Sequence, residues 1–193
     1  MINKNIICDG NLVSLRALKK SDYQIISNWE GEENNFNYFP NSNFLNDIKN
    51  PFWIENKIKD INGLYLAIVE NDLKNIIGIT LLENIDLKNK NACWGTYMSN
   101  KKYRNLNYCL ESSFVLINYA FKHLNLNKVY NNTLLENKRG RNFHKILGFK
   151  EEAIFNNQVM IDGYYTDLIW SSIERKNWIK FKVKIEKKLT EVQ

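Results

Sequence analysis

The residues best placed to do chemistry gather in residues 98–111, MSNKKYRNLNYCLE, where Lys101, Lys102 and Arg104 stand just before a helical pattern. That pattern has apolar residues at Leu110, Phe114, Ile117, Phe121 and Leu124, at spacings of four, three, four and three. A run that reads as a strand, WGTYM, leads into the basic turn. At such a junction, unpaired amides and the positive end of the helix dipole point the same way, so it can hold an anion such as a phosphate. A solvated basic turn would have the same sequence, and the residues alone leave both readings open.

Other chemistries find less support. Cys8, Cys93 and Cys109 have no C-x-x-C spacing, and the chain has only 2 histidines, so no metal site is expected. An odd, sparse cysteine count suits a reduced, cytoplasmic protein. The opening MINKNIICDGN is too short an apolar run for a signal peptide, and no run reaches transmembrane length, so no membrane partner is expected. The net charge is +6, but residues 174–193 carry seven Lys/Arg against three Asp/Glu, which is +4 of it. The excess sits at one end rather than on a charged surface, which disfavours a nucleic-acid partner.

The elements that would position these residues follow from hydrophobic period. With 193 residues, 44% of them hydrophobic, the chain suits one well-buried domain. NLVSLRA at 11–17 alternates as a strand, and Ser21-Asp22 caps a helix through Tyr23, Ile26 and Trp29. Residues 30–50 form a polar loop carrying Phe36, Tyr38, Phe39, Phe44 and Leu45, which reads equally as a lid over something apolar or as anchors of a surface loop. Pro51 opens the helix PFWIENKIKDI. GLYLAIVE and IIGITLLENI form an antiparallel hairpin, residues 91–98 a third strand, and KVYNNTLL at 128–135 a strand after the long helix. Asn137 caps a helix that Gly148 ends. Residues 149–155, 158–161 and 164–171 close the order as strands, with a turn at Asp162-Gly163. The expected boundaries are one domain over 1–178 and a basic, helical tail over 179–193.

Three segments in this order, WGTYMSNKKYRNLNYCLESSFVLINYAF, NKVYNNTLLENKRGRNFHKILGFKEEA and DGYYTDLIWSSIERKNW, resemble the GNAT superfamily of acetyl-CoA-dependent N-acetyltransferases. The likeness is greatest to the branch that holds the ribosomal-protein alanine N-acetyltransferases and related amino-sugar acetyltransferases. It implies an α/β fold of the α+β type, a mixed and mostly antiparallel central sheet flanked by helices. The implied function is transfer of an acetyl group from acetyl-CoA to an amine by direct attack. The acceptor is then a small molecule, such as a nucleotide-linked amino sugar, or a protein N-terminal amine. A homodimer is compatible with the likeness. So is a non-catalytic acyl-CoA-binding protein with the same fold.

The family's Arg/Gln-x-x-Gly-x-Gly/Ala pattern, whose amides hold the coenzyme pyrophosphate, falls on Arg104, Asn107 and Cys109, with Asn105 and Tyr108 between them. Both glycine positions are replaced. Asn tolerates positive φ better than most residues, so Asn107 is expected to keep the backbone shape, and Cys109 is small enough to stand for Ala. Tyr97, Met98 and Ser99 match the strand end that pairs with the pantetheine arm, and Asn137 matches a second contact to that arm. Glu83 falls where relatives place a general base, although a solvated strand-end carboxylate fits it too. Glu70 and Asp86 are weaker candidates beside turns, and Glu111 is read as a first-turn residue that suits the dipole. His144 stands in the helix that supplies a hydrogen bond or proton to the leaving thiolate; a surface histidine fits the same position. Phe36, Tyr38, Trp53 and Tyr164 are the expected acceptor wall. Arg139 and Arg141 could reach phosphates.

Overall fold

The computed structural model describes residues 7–29 and 44–190. Their strands form one sheet of eight, in the order β1-β2-β3-β4-β5-β6-β8-β7. The strands are β1 (Ile7–Asp9), β2 (Val13–Ala17), β3 (Leu64–Glu70), β4 (Ile76–Asp86), β5 (Asn91–Met98), β6 (Lys128–Leu134), β7 (Lys150–Ile161) and β8 (Tyr164–Glu174). Every neighbouring pair is antiparallel except β5 and β6. Those two run parallel and pair only at Asn91↔Lys128, Ala92↔Val129 and Cys93↔Tyr130, then part. The resulting wedge is the one opening in the middle of the sheet that the described strands leave.

Each face of the sheet carries its own core. On one face, α4 (Leu106–Lys122) and α6 (Arg175–Thr190) cover Val13, Leu66, Ile68, Trp94 and Val129. Leu110, Leu116 and Ile117 of α4 are almost wholly buried, each contributing about 1.5–3 kcal/mol. On the other face, α1 (Tyr23–Ile26), α2 (Phe44–Lys49) and α3 (Pro51–Lys59) cover Tyr65, Ala67, Ile79 and Tyr97. The mixed, mostly antiparallel sheet flanked by helices agrees with the expected fold class.

Several local details differ from the sequence reading. Residues 150–161 are a single strand, β7, and Asp162 and Gly163 turn the chain with φ of 49° and 84°. Asp22 is not a forward cap. It lies in a short 3-10 turn (Lys20–Asp22), accepts from the Lys19 N–H at 2.8 Å and pairs with Arg16 at 2.7 Å. Helix α6 starts before residue 179, at Arg175, runs on through residues 179–190 and buries Trp178 and Ile185. Gly148 shows why the helix α5 (Lys138–Ile146) must end where it does: its φ is 90°, and an added Cβ would lie 2.5 Å from the Phe181 ring of α6.

Candidate active site

The wedge between β5 and β6 opens into two adjoining cavities. The one on the side of the α4 N-terminus has a volume of about 570 Å³ and is lined by Met98, Arg104, Asn105, Cys109 and Arg139 among others. The other, about 440 Å³, reaches through the sheet to Trp53, Lys57, Tyr65 and Glu83. Thr96, Tyr97, Asn137, Gly140 and Phe143 line both and form the passage between them. An extended ligand can therefore lie with one end at the basic turn and the other on the opposite face of the sheet.

The basic turn is built by Asn105. As the N-cap of α4, its side-chain oxygen accepts from the Asn107 N–H at 3.1 Å and the Tyr108 N–H at 3.2 Å. Asn107 lies inside the helix and does not have the positive φ expected of it. The glycine it replaces is therefore not mimicked by a left-handed asparagine; the cap of Asn105 holds the turn instead. Arg104 turns its Nε to the Met98 carbonyl at 3.1 Å, fixing the end of β5. Arg139 in turn donates to the Arg104 carbonyl at 2.7 Å, tying α5 to the turn. Arg141 is held away from the turn by Glu151 (2.8 Å) and the Leu135 carbonyl (2.9 Å). Ser99 continues the pairing with β4, giving its N–H and hydroxyl to the Ile77 carbonyl, both at 2.9 Å. Tyr108 faces away from both cavities and donates to Glu70 at 3.1 Å, where Tyr103 also donates at 3.3 Å. Glu70 is thus a buried anchor of the turn and lines neither cavity.

Glu111 is corrected as well. It is the sixth residue of α4, 3% exposed, and accepts from the N–H groups of Asn11, Leu12 and Val13 at 2.8, 2.7 and 2.8 Å. It fastens the β1–β2 turn onto the long helix, a role that its place in sequence does not suggest. Asn137 does cap α5 as expected, accepting from the Gly140 N–H at 2.8 Å. A Cβ at Gly140 would lie 2.7 Å from that same side chain, so a serine there is incompatible with this cap geometry.

On the far face, Glu83 lies half-buried at the centre of a polar group. Its carboxylate accepts from Tyr65 at 2.6 Å and from Lys57 at 3.0 Å, and Lys57 also reaches the Tyr65 hydroxyl at 3.0 Å. Burial and the Glu83 carboxylate keep the Tyr65 phenol protonated, its pKa pushed well above the usual value. Lys57 and Tyr65 were absent from the sequence reading. Their types gave no signal, because they reach Glu83 from α3 and β3. Cys93 lines the same cavity, and burial with the Glu83 charge nearby pushes its thiol up to about 12. Burial likewise pushes Cys109 up to about 11. Both are thiols, not thiolates, near neutral pH.

His144 lines the cavity between Trp94, 5.6 Å away between ring centres, and Phe149, 6.0 Å away. This apolar setting lowers its pKa from 6.5 to about 4, with Glu151 pulling weakly the other way. Near neutral pH it is a neutral imidazole that can donate a hydrogen bond but holds no extra proton to give. The sign of the linkage is fixed. Because the folded pKa lies below the unfolded one, this stability is complete above about 6.5 and is lost as the pH falls towards 4. A His144→Phe variant is expected to lose less of its melting temperature between pH 6.5 and 4.5 than the wild type, read by thermal melts; parallel curves would refute the burial of this imidazole.

Trp53 lines the far cavity with Asp47. Tyr164 does not: it begins β8 at the hairpin tip and is 77% exposed. Phe36 and Tyr38 lie outside the described residues, as does Phe39. No described helix is long and apolar enough to cross a membrane.

The chain is similar to known proteins. The profile of a family described as an acetyltransferase (GNAT) domain matches residues 13–150. The [ribosomal protein uS5]-alanine N-acetyltransferase of Escherichia coli is 23% identical over 120 residues, 62% of each chain. The chain thus spans about three fifths of that relative's length. A GCN5-related N-acetyltransferase from Brucella melitensis superposes with a TM-score of 0.80 at 21% identity, over 97% of this chain and 86% of that one. A spermidine N-acetyltransferase from Vibrio cholerae, solved in complex with CoA and spermine, superposes with a TM-score of 0.72 at 21% identity, over 87% and 98%. The two solved structures bear on the fold alone.

Proposed function

We propose that this chain, which belongs to the GNAT acetyltransferase family, transfers an acetyl group from acetyl-CoA to a primary amine. The observation that carries this reading is the passage through the sheet, which joins the capped, basic N-terminus of α4 to a half-buried carboxylate on the other face. The residues present fit acetyl-CoA as substrate. The turn at Arg104 and Asn105 suits the pyrophosphate, and the open flank of β5 at Tyr97 and Met98, with Asn137 opposite, suits the extended arm. The acceptor approaches past Trp53, and Glu83 takes the proton that the amine must lose. His144 offers a neutral N–H to the departing sulfur. The high thiol pKa of Cys93 favours direct attack by the amine over an acyl-cysteine intermediate.

The acceptor we infer is a monoamine, either a nucleotide-linked amino sugar or a protein N-terminal amine. Lys57 supports this, because a cation 3.0 Å from Glu83 opposes a second ammonium from a polyamine. The assay is thiol release from acetyl-CoA with a nucleotide-linked amino sugar, an alanine-terminated peptide and spermidine offered in turn. Turnover with one of the first two is expected, and turnover with spermidine alone would overturn the monoamine assignment. One observation favours a second reading, a non-catalytic acyl-CoA-binding protein. Asn105 already occupies the amides of Asn107 and Tyr108, and both family glycines are replaced. Binding of acetyl-CoA with no turnover on any acceptor would establish that reading.

A further inference from the structure

Five buried polar side-chain atoms on four residues lining the far cavity have no hydrogen-bond partner in the protein: Trp94 Nε1, Thr96 Oγ1, Asn131 Nδ2 and Oδ1, and His144 Nδ1. Buried polar groups are nearly always paired, so such a concentration in one cavity calls for an explanation. Asn131 is the sharpest case. It is 2% exposed, and its carboxamide has both a donor and an acceptor unmet. It follows directly on Tyr130, the last β6 residue paired with β5, so it stands at the apex of the wedge. Strand alternation puts it on the same face of the sheet as Val129, the face on which Trp94 of β5 is buried. An apolar residue here would extend the core at no such cost.

Resting on the acetyl-CoA reading above, we propose that Asn131 is a binding and positioning residue that takes a secondary amide of the coenzyme's pantetheine arm. The chemistry of the cluster selects such a group. Its members are uncharged: an indole N–H, a hydroxyl, a carboxamide and an imidazole that burial keeps neutral. A phosphate or a carboxylate would bring an uncompensated charge into this setting. A secondary amide brings one donor and one acceptor with no charge, and an extended arm entering past Thr96 and Asn137 carries its amides towards the apex. The bare amide is then stability given up for binding, as is common at functional sites.

The test uses the full chain with Asn131→Leu and, as a second and nearly isosteric change, Thr96→Val. Dissociation constants are measured for CoA, acetyl-CoA and adenosine 3′,5′-bisphosphate, the last of which has the nucleotide end without the arm. Asn131→Leu is expected to weaken CoA and acetyl-CoA alike by about 5- to 100-fold and to leave the bisphosphate unchanged. The ligand-free variant is expected to melt about 2–4 °C above the wild type, since a merely structural asparagine would melt lower when replaced. Thr96→Val is expected to weaken CoA by a smaller factor. Unchanged CoA affinity in both variants overturns the proposal, as does a loss confined to acetyl-CoA, which would put the contact on the acyl group. A wild-type chain that binds the bisphosphate and CoA equally well overturns it too. A wild-type chain that binds none of the three refutes the acetyl-CoA reading itself.

Discussion

Glu83→Gln is expected to lower kcat/KM for the acceptor by about 10²–10⁴-fold while leaving the acetyl-CoA dissociation constant unchanged. Glutamine keeps the size of the side chain and an oxygen for the Tyr65 hydroxyl, now 2.6 Å away, but cannot take a proton from the amine. Acetyl-CoA binding is spared because the Glu83 carboxylate is bonded to Tyr65 and Lys57 and lies outside the cavity that holds the basic turn. The pH profile separates a base from a merely positioning residue. Raising the pH towards that of the free amine delivers the acceptor already neutral, so the variant should regain much of its deficit there. Turnover within about threefold of wild type near neutral pH, measured by thiol release, would remove Glu83 as the base. Tyr65→Phe should cost less, about tenfold, since it removes one bond that orients the carboxylate.

Glu111→Ala is expected to destabilise the fold by about 3–5 kcal/mol. The substitution strips the acceptor from three consecutive N–H groups, of Asn11, Leu12 and Val13, each now bonded at 2.7–2.8 Å. Water can rescue Asn11 at the exposed edge but not Val13, which is 0% exposed. At about 2–4 °C per kcal/mol for a chain of this size, the melting temperature should fall by roughly 6–20 °C. Glu111→Gln should fall between the two, because one oxygen remains for Leu12 and Val13 while the amide opposes the Asn11 N–H. A melt of Glu111→Ala within about 2 °C of wild type would show that the β1–β2 turn does not depend on this carboxylate. The site is 98 to 100 residues distant in sequence from its partners, so the loss measures tertiary attachment rather than helix propensity.

The same contrast divides what was legible beforehand. The order of the elements, the cap at Asn137, the end of α5 at Gly148 and the turn at Asp162-Gly163 depend on residues within a few positions of one another. Side-chain period, cap chemistry and positive φ are short-range physics, and they show in the sequence. The strand–basic turn–helix junction, with the three segments that resemble the family, belongs to the same class. Asn107 marks the limit of that reasoning. Its tolerance of positive φ was a sound local argument, but the neighbouring Asn105 satisfies the turn in another way.

Tertiary structure alone decided the rest. The wedge exists because β6 pairs with β5 for three residues and then follows β8, a choice made by a strand that arrives some forty positions later. Glu83 gained Lys57 and Tyr65 through packing of α3 and β3, and Glu70 lost its candidacy to two tyrosines in the turn before α4 and in its first turn. His144 is set neutral by Trp94 and Phe149, which no periodicity around position 144 reveals. Desolvation, charge pairing and unmet hydrogen bonds depend on what surrounds a group in space. The family and the place of the basic turn could be read from the sequence by itself; only the folded chain decided which carboxylate, which imidazole and which asparagine face the cavity.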